Sequence, residues 1–285
     1  MEHLGLGWVL LAGTLAGTLA ASSTREQDLG PIIEVAMDMA QNSFDDQYWG
    51  CRCEMEEELK IVNGTEFEND MYAKTWRRAE ERWREQWGNS IQPQVLRREY
   101  AVAVLAYTSC TSLYRQLNAA VREGGRSREH YLQHFPFKTM HFLLTKALHT
   151  LRKAQGRRCY DVYRSVRGIR FTARRHQTVR FGQFASTSIK KNATKRFGQD
   201  SLFIVHTCYG VPIQNFSFYP EEEEVLIPPY EVFKVTNVMS YSSRSIIHLH
   251  SHGVCSNYNC ALVNGHQLGT ALHSSSLCLG PAAEG

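Results

Sequence analysis

E-E-E-E-V-L-I-P, residues Glu221 to Pro228, sets four consecutive carboxylates directly against the start of an apolar run. Four acids alone read as a solvated loop. The apolar residues that follow at once are those of a buried strand, and they change that reading. If the strand begins at Glu223 or Glu224, its period of two sends Glu222 and Glu224 to the same side, and two carboxylates then share one edge of a cleft.

Around this run, from Cys159 onward, the apolar segments are short, β-branched and aromatic: Cys159 to Tyr163, Val179 to Phe184, Leu202 to Cys208, Val225 to Ile227, Val232 to Val238 and Ile246 to His250. These read as strands. Before it, from about Ile32 to Lys153, apolar residues recur at helical spacing, as in Tyr72, Trp76, Ala79, Trp83 and Trp87, and in Leu96, Tyr100, Ala103, Tyr107 and Tyr114. Pro93 suits a helix start, Gly124-Gly125 a stop, and His141 to Leu151 a further helix. Helices followed by strands, with no internal repeat, predict an α+β fold in one domain over residues 21–265, helical over about 32–153 and β over about 159–262.

The 285 residues, 43% of them hydrophobic and 21% charged, exclude a coiled coil, a mini-protein and a disordered chain. The net charge of +4 hides an asymmetry: Arg152 to Arg196 carries +13, leaving −9 on the remainder. Leu4 to Ala20 is apolar, Gly-rich and ends in small residues, which predicts a secretory signal peptide over residues 1–20. Eight cysteines fit an oxidising compartment. Sequons at Asn63, Asn192 and Asn215 are glycosylation candidates. The tail over 266–285 is polar and lacks the hydrophobic stretch of a lipid anchor, so release into the medium, or storage in a secretory granule, is expected over membrane attachment.

Several motifs have a plainer meaning than their most eye-catching one. The Trp and Arg residues of T-W-R-R-A-E-E-R-W-R-E-Q-W (75–87) interleave as in membrane-surface helices, but Glu80, Glu81 and Glu85 answer Arg77, Arg78 and Arg84 at helical spacing, so the Trp stripe is read as core. His248, His250 and His252 share one face of a strand, as three metal ligands would; alternating polar residues on a wet strand face explain them as well. Cys51, Cys53, Cys255 and Cys260 have unusual spacing for zinc. No metal is expected.

Three strand ends carry complementary chemistry. Asp161-Val162-Tyr163-Arg164 ends one in a guanidinium, Phe181-Gly182-Gln183-Phe184-Ala185-Ser186-Thr187-Ser188 ends another in hydroxyls, and Glu222 with Glu224 supplies the carboxylates. At these residues the chain resembles the vertebrate arginine-specific ecto-mono-ADP-ribosyltransferases, NAD(P)+-protein-arginine ADP-ribosyltransferases whose signature is Arg, then Ser-x-Ser, then Glu-x-Glu. Here these read V-Y-R at Arg164, S-T-S at Ser186 to Ser188 and E-E-E at Glu222 to Glu224. F-D-D-Q-Y-W-G-C (44–51), F-K-T-M-H-F-L-L-T (137–145), R-F-G-Q-F (180–184), E-V-L-I-P-P-Y-E-V (224–232) and S-N-Y-N-C (256–260) extend the similarity over about Ile32 to Leu262. The tail is similar to that of the secreted avian members.

The resemblance implies a helical N-terminal part packed on a split two-sheet β core, with NAD+ (or NADP+) as co-substrate in the cleft. It implies transfer of ADP-ribose, with inversion, to the guanidinium of arginine in acceptor proteins, or to agmatine, by a monomer that uses no specific nucleic acid. Glu224 would stabilise the oxocarbenium-like ribose as nicotinamide leaves; Glu222 would orient and deprotonate the acceptor guanidinium. Arg164, Ser186, Tyr163, Phe184 and Glu224 would hold the dinucleotide, and Phe218, Tyr219 and Glu222 would form the acceptor loop. Family disulfides would join Cys51 to Cys260 and Cys159 to Cys208, with Cys53 and Cys255 as an additional bridge and Cys110 and Cys278 unassigned. The family writes Tyr-Arg-Gly where Ser165 stands here; a left-handed turn at that glycine would displace Arg164. The alternatives are hydrolysis of NAD+ on the same fold, and a secreted protein without catalysis whose +13 segment grips polyanions.

Overall fold

A computed structural model describes residues 32–90, 94–109, 111–241, 244–263 and 277–279. The expected leader at 1–20, the helix start at Pro93, Cys110 and all of the tail but Leu277–Leu279 lie outside them.

After one short strand, six α-helices follow among the described residues: α1 (Arg52–Glu66), α2 (Asp70–Trp87), α3 (Arg98–Thr108), α4 (Leu113–Gly124), α5 (Arg128–His134) and α6 (Lys138–Ala154). Helix α3 is buried on every side from Tyr100 to Tyr107, and its alanines let α2, α4 and α6 approach closely. On α2 the stripe Tyr72, Trp76 and Ala79 faces that core, while Arg77, Glu81 and Glu85 face solvent. The ends are capped from the side chains: Asn69 accepts from Met71 N and Tyr72 N, and Ser127 from His130 N. The buried Glu66 carboxylate accepts from the first amides of α6, Lys138 N and Thr139 N.

The spacing from Leu96 to Tyr114 reads as one helix, but the chain breaks at Ser109. There the backbone turns extended, and hydroxyls take the carbonyls that a continuing helix would use, Thr108 Oγ1 bonding Leu105 O and Ser109 Oγ bonding Ala106 O. A second correction concerns the start. Ile33–Ala36 is a strand, β1, paired in parallel with β3 (Ile169–Thr172), because its β-branched residues find an open edge there; the helices begin only at Arg52.

The remaining strands are β2 (Tyr160–Val166), β4 (Thr178–Arg180), β5 (Ala185–Ser188), β6 (Ser201–Thr207), β7 (Val211–Pro212), β8 (Glu224–Ile227), β9 (Glu231–Ser240), β10 (Ser245–Ser256) and β11 (Leu277–Leu279). Of the predicted strand Val179 to Phe184 only the first two residues are strand, the end of β4; the chain then bends at Gly182, and β5 begins at Ala185. The φ of Gly182 is +63°, and a Cβ there would stand 2.3 Å from that of Ala40, so only glycine fits.

Among the described residues, eight strands follow one hydrogen-bonded path, β4-β9-β10-β6-β2-β5-β8-β7, and β11 pairs with β10 off it as the ninth strand of the sheet. Along β6, Ser201, Phe203, Val205 and Thr207 point inward in strict alternation. With Val162, Val225, Ile227, Phe233, Val235 and Ile247 they make a second core, distinct from the helical one. The expected split is a seam in this path. β2 and β6 share seven register pairs, whereas β2 and β5 share one, Tyr163 with Ser188.

The two ends of the described chain are tied together. Asp45 accepts from Arg180 Nη1 at 2.6 Å and from Asn257 N at 2.8 Å, and Asp46 accepts from Cys260 N and Ala261 N. Disulfides join Cys51 to Cys260 and Cys159 to Cys208. The additional bridge does not form between Cys53 and Cys255: Cys53 is free and exposed on α1, while Cys255, disulfide-bonded, sits opposite Cys278 in the β10–β11 register. The same bonds remove the four-cysteine zinc reading.

Candidate active site

A cleft of about 880 Å³ opens at the seam between β2 and β5. Arg164, Ser186, Glu222 and Glu224, which lie far apart in the chain, all line it. Arg164 is in the middle of β2 rather than at its end, next to Tyr163, which makes the single pairing across the seam. Its Nη1 donates to Ser186 O at 2.7 Å. Arg164 carries further N–H donors in the same planar fork at the cleft wall.

Ser165 does not turn the chain. It lies in extended β2 opposite Leu202, and its hydroxyl bonds Thr194 Oγ1 at 3.1 Å. The serine in place of the family glycine therefore leaves Arg164 in the strand.

Glu224 opens β8 and is 8% exposed. It stands opposite Ser188 across the β5–β8 ladder. Strand alternation does not deliver Glu222 to the same cleft. Glu222 ends a turn of 3-10 helix, Pro220–Glu222, and Glu223 then takes the left-handed conformation (φ 44°, ψ 53°), reversing the chain into β8. The turn is held from β5: Ser188 Oγ donates to Glu222 O at 2.6 Å, Ile189 N to Glu223 O at 3.3 Å, and Lys190 Nζ pairs with Glu223 Oε1 at 2.8 Å.

Burial pushes the Glu224 carboxyl up to about 7, against a bond from the Ser186 hydroxyl and the charge of Arg164, and with the repulsion of Glu222. The group is thus divided between its neutral and ionised forms near neutrality. A carboxylate in that position can oppose a developing positive charge, and a second one at Glu222, half-buried at the rim, can bind a cation from outside. The cleft volume is in the range of small-molecule sites, and a planar cationic fork beside tyrosines and carboxylates suits a ligand with phosphate and ribose oxygens.

The other expected residues are distributed unevenly. Tyr163 and Tyr219 line the cleft. Phe184 contributes main chain, since its ring is fully buried against Tyr107 and His141. Phe218 lies outside the lining, beneath the guanidinium groups of Arg78 and Arg82 at 5.2 and 5.9 Å. Asn192 and Asn215 are exposed, and Asn63 is half-buried in α1. His250 stacks on His206 of the neighbouring strand at 4.6 Å. Donor atoms of Cys159, His206 and Cys208 cluster, but both sulfurs are joined in the disulfide.

Tyr107 and Asn118 line the cleft from the helical side, and the sequence reading assigned them to no site. Tyr107 fell within a helical stripe read as core. The signal that sets it apart is the hydroxyl-rich break that follows it, T-S-C-T-S at 108–112.

A profile described as NAD:arginine ADP-ribosyltransferase matches residues 37–257. The chain is 53% identical to NAD(P)(+)--arginine ADP-ribosyltransferase 2 of Gallus gallus, over 99% of this chain and 91% of that one. It is 48% identical to GPI-linked NAD(P)(+)--arginine ADP-ribosyltransferase 1 of Mus musculus, over 81% and 74% of the two chains. Among solved structures it is similar to the eucaryotic mono-ADP-ribosyltransferase ART2.2, with a TM-score of 0.69 and 36% identity over 79% of this chain and 98% of that one. A variant of ART2.2 in complex with NAD matches with a TM-score of 0.68.

Proposed function

The chain belongs to the NAD:arginine ADP-ribosyltransferase family, and on that premise we propose that it transfers ADP-ribose from NAD+, or NADP+, to the guanidinium of arginine in acceptor proteins. The observation that carries the reading is the meeting of Arg164, Ser186, Glu222 and Glu224 around one cleft at the sheet's seam.

Each role follows from the group's surroundings. Arg164 binds phosphate and ribose oxygens through its fork. Ser186, whose hydroxyl favours the ionised Glu224 against its burial, lines the same cleft and is placed to hold a ribose hydroxyl. Glu224, buried and adjustable near pH 7, hydrogen-bonds the ribose 2'-hydroxyl and stabilises the oxocarbenium-like transition state as nicotinamide departs. Glu222, at the rim, orients the incoming guanidinium and takes its proton, and Tyr219 beside it borders the acceptor's approach. No residue serves as a covalent nucleophile, so the ribose carbon is inverted. Water in place of the guanidinium gives NAD+ hydrolysis from the same groups.

The disulfides support an oxidising compartment, and so a chain led by a signal peptide into the secretory route and glycosylated at exposed Asn192 and Asn215. No helix among the described residues is long and apolar enough to cross a membrane. Incubating the purified chain with labelled NAD+ and agmatine tests the activity: label on agmatine is expected, and nicotinamide release without labelled agmatine would leave only the hydrolase reading.

A further inference from the structure

Residues 213–223 join β7 to β8 and contain two short 3-10 turns, Gln214–Phe216 and Pro220–Glu222. Both ends of the segment are tied to the sheet: Ile213 N donates to Glu224 O at 3.0 Å, and Ser188 Oγ to Glu222 O. Its middle is tied to the helical layer instead. Phe218 N donates to Thr108 Oγ1 at 3.2 Å. The Thr108 hydroxyl gives its own proton to Leu105 O at 3.1 Å, so towards Phe218 it can only accept. The Phe218 ring lies under two guanidinium groups of α2, Arg78 at 5.2 Å and Arg82 at 5.9 Å, and Phe216 stacks on Trp87 at the end of the same helix, at 5.2 Å.

Phe218 stays outside the cleft lining, whereas Tyr219, next in the chain, and Glu222 lie within it. Adjacent side chains thus face opposite ways, one to α2 and one to the cleft. Their Cα atoms are about 3.8 Å apart, so a ring held on α2 leaves its neighbour little choice of direction. The Tyr219 carbonyl accepts from Glu222 N at 3.1 Å and carries that orientation on to the acid. Arg78 and Arg82, four residues apart on one helix, would repel each other. The negative face of an aromatic ring beside both offsets that repulsion, and an aliphatic side chain of similar size would not.

We propose that Phe218 works from behind the acceptor site rather than in it: clasped by Arg78 and Arg82 and pinned by Thr108, it is a positioning residue that aims Tyr219 and Glu222 at the incoming guanidinium. This rests on the acceptor role given to Glu222. The clasp governs the acceptor and leaves NAD+ alone, because Phe218, Arg78 and Arg82 do not line the cleft and the strands carrying Arg164, Ser186 and Glu224 are held by their own ladders.

The test is Arg78→Met with Arg82→Met in the full chain, which removes both charges from the helix surface. KM for agmatine should rise about fivefold or more, the worth of two exposed cation–π contacts, while KM for NAD+ and the rate of NAD+ hydrolysis stay within about twofold. Arg78→Lys with Arg82→Lys, which keeps the cations, should recover part of the loss. Phe218→Leu, which keeps the bulk and removes the ring face, should reproduce it, and carries the comparison if the methionine variant does not fold. Hydrogen exchange, read without substrate, should quicken over 213–223 in either variant, which separates the clasp from the assigned activity. In a chain that proved to have no transferase activity, faster exchange there would leave the clasp standing and the functional reading fallen. Unchanged exchange over 213–223, an unchanged KM for agmatine, or equal losses of transfer and hydrolysis overturns the proposal.

Discussion

The hydroxyl of Ser188 donates to the main-chain oxygen of Glu222 at 2.6 Å, while Glu224 stands opposite Ser188 in the adjoining ladder. One serine thus sets the spacing of the two acids through the backbone. The carboxylate of Glu222 takes no part in that bond and can be removed without undoing the turn. In Glu222→Ala, ADP-ribosylation of agmatine should fall at least a hundredfold while NAD+ hydrolysis persists within a few-fold, as expected for loss of a general base. Ser188→Ala should lower transfer more than hydrolysis, because it loosens the turn and leaves Glu224 in its strand. Separating labelled agmatine from free ADP-ribose checks both, and equal losses of the two products would contradict the division of roles.

The pH dependence follows from burial of Glu224. Its ionised form is the one that stabilises positive charge, so kcat/KM for NAD+ should rise with pH through about 7. Arg164 holds that pKa down by its charge and binds through its geometry, and the two effects are separable. Arg164→Lys should keep the acid limb close to its position while raising KM for NAD+ about tenfold or more, the worth of a lost charged hydrogen bond. Arg164→Met should also move the limb alkaline.

The same burial costs stability. The folded pKa of Glu224, about 7, lies above the ordinary glutamate value of 4.5, so the folded state holds the proton more tightly. Its contribution is fully present below pH 4.5 and is lost as pH rises through 7. A shift of this size corresponds to on the order of 3 kcal/mol at alkaline pH. Glu224→Gln should abolish both transfer and hydrolysis and yet unfold at a higher temperature than wild type at pH 8.5, with little difference at pH 5. Thermal melts at the two pH values decide it.

Arg180 is 1% exposed and Asp45 fully buried, and the pair fastens the 44–51 segment to β4 and to the end of β10. Asp45→Asn strands a buried guanidinium and should cost about 3–5 kcal/mol, read by denaturant unfolding under non-reducing conditions. The double variant Asp45→Asn with Arg180→Met should cost less than the sum of the two single changes, because the second removes the charge the first leaves unpaired.

Much of this was legible in the chain. The exchange of helical for strand spacing near residue 155 separates α6 from β2, and the Trp stripe of α2 faces the helical core as its period requires. β1 was hidden because four residues are too few to establish a period, and the edge of β3 that pairs with it is not a local property. The break after Tyr107 was hidden for a different reason: the apolar spacing continues across it, and hydroxyls competing for carbonyls end the helix. Glu222 and Glu224 do share one cleft, as the sequence reading has it, but for a different geometric reason: a left-handed residue rather than strand alternation joins them.

The sequence by itself determined the kinds of groups present, their order, and the periodicities that build one helical and one β layer, because side-chain chemistry and local backbone preference are properties of neighbours in the chain. Only the tertiary structure decided that the sheet yields at one pairing between β2 and β5, that Tyr107 and Asn118 close the far wall, and that Glu224 is buried enough to titrate near neutrality. Those outcomes depend on long-range packing and on exclusion of water, which no stretch of residues carries alone.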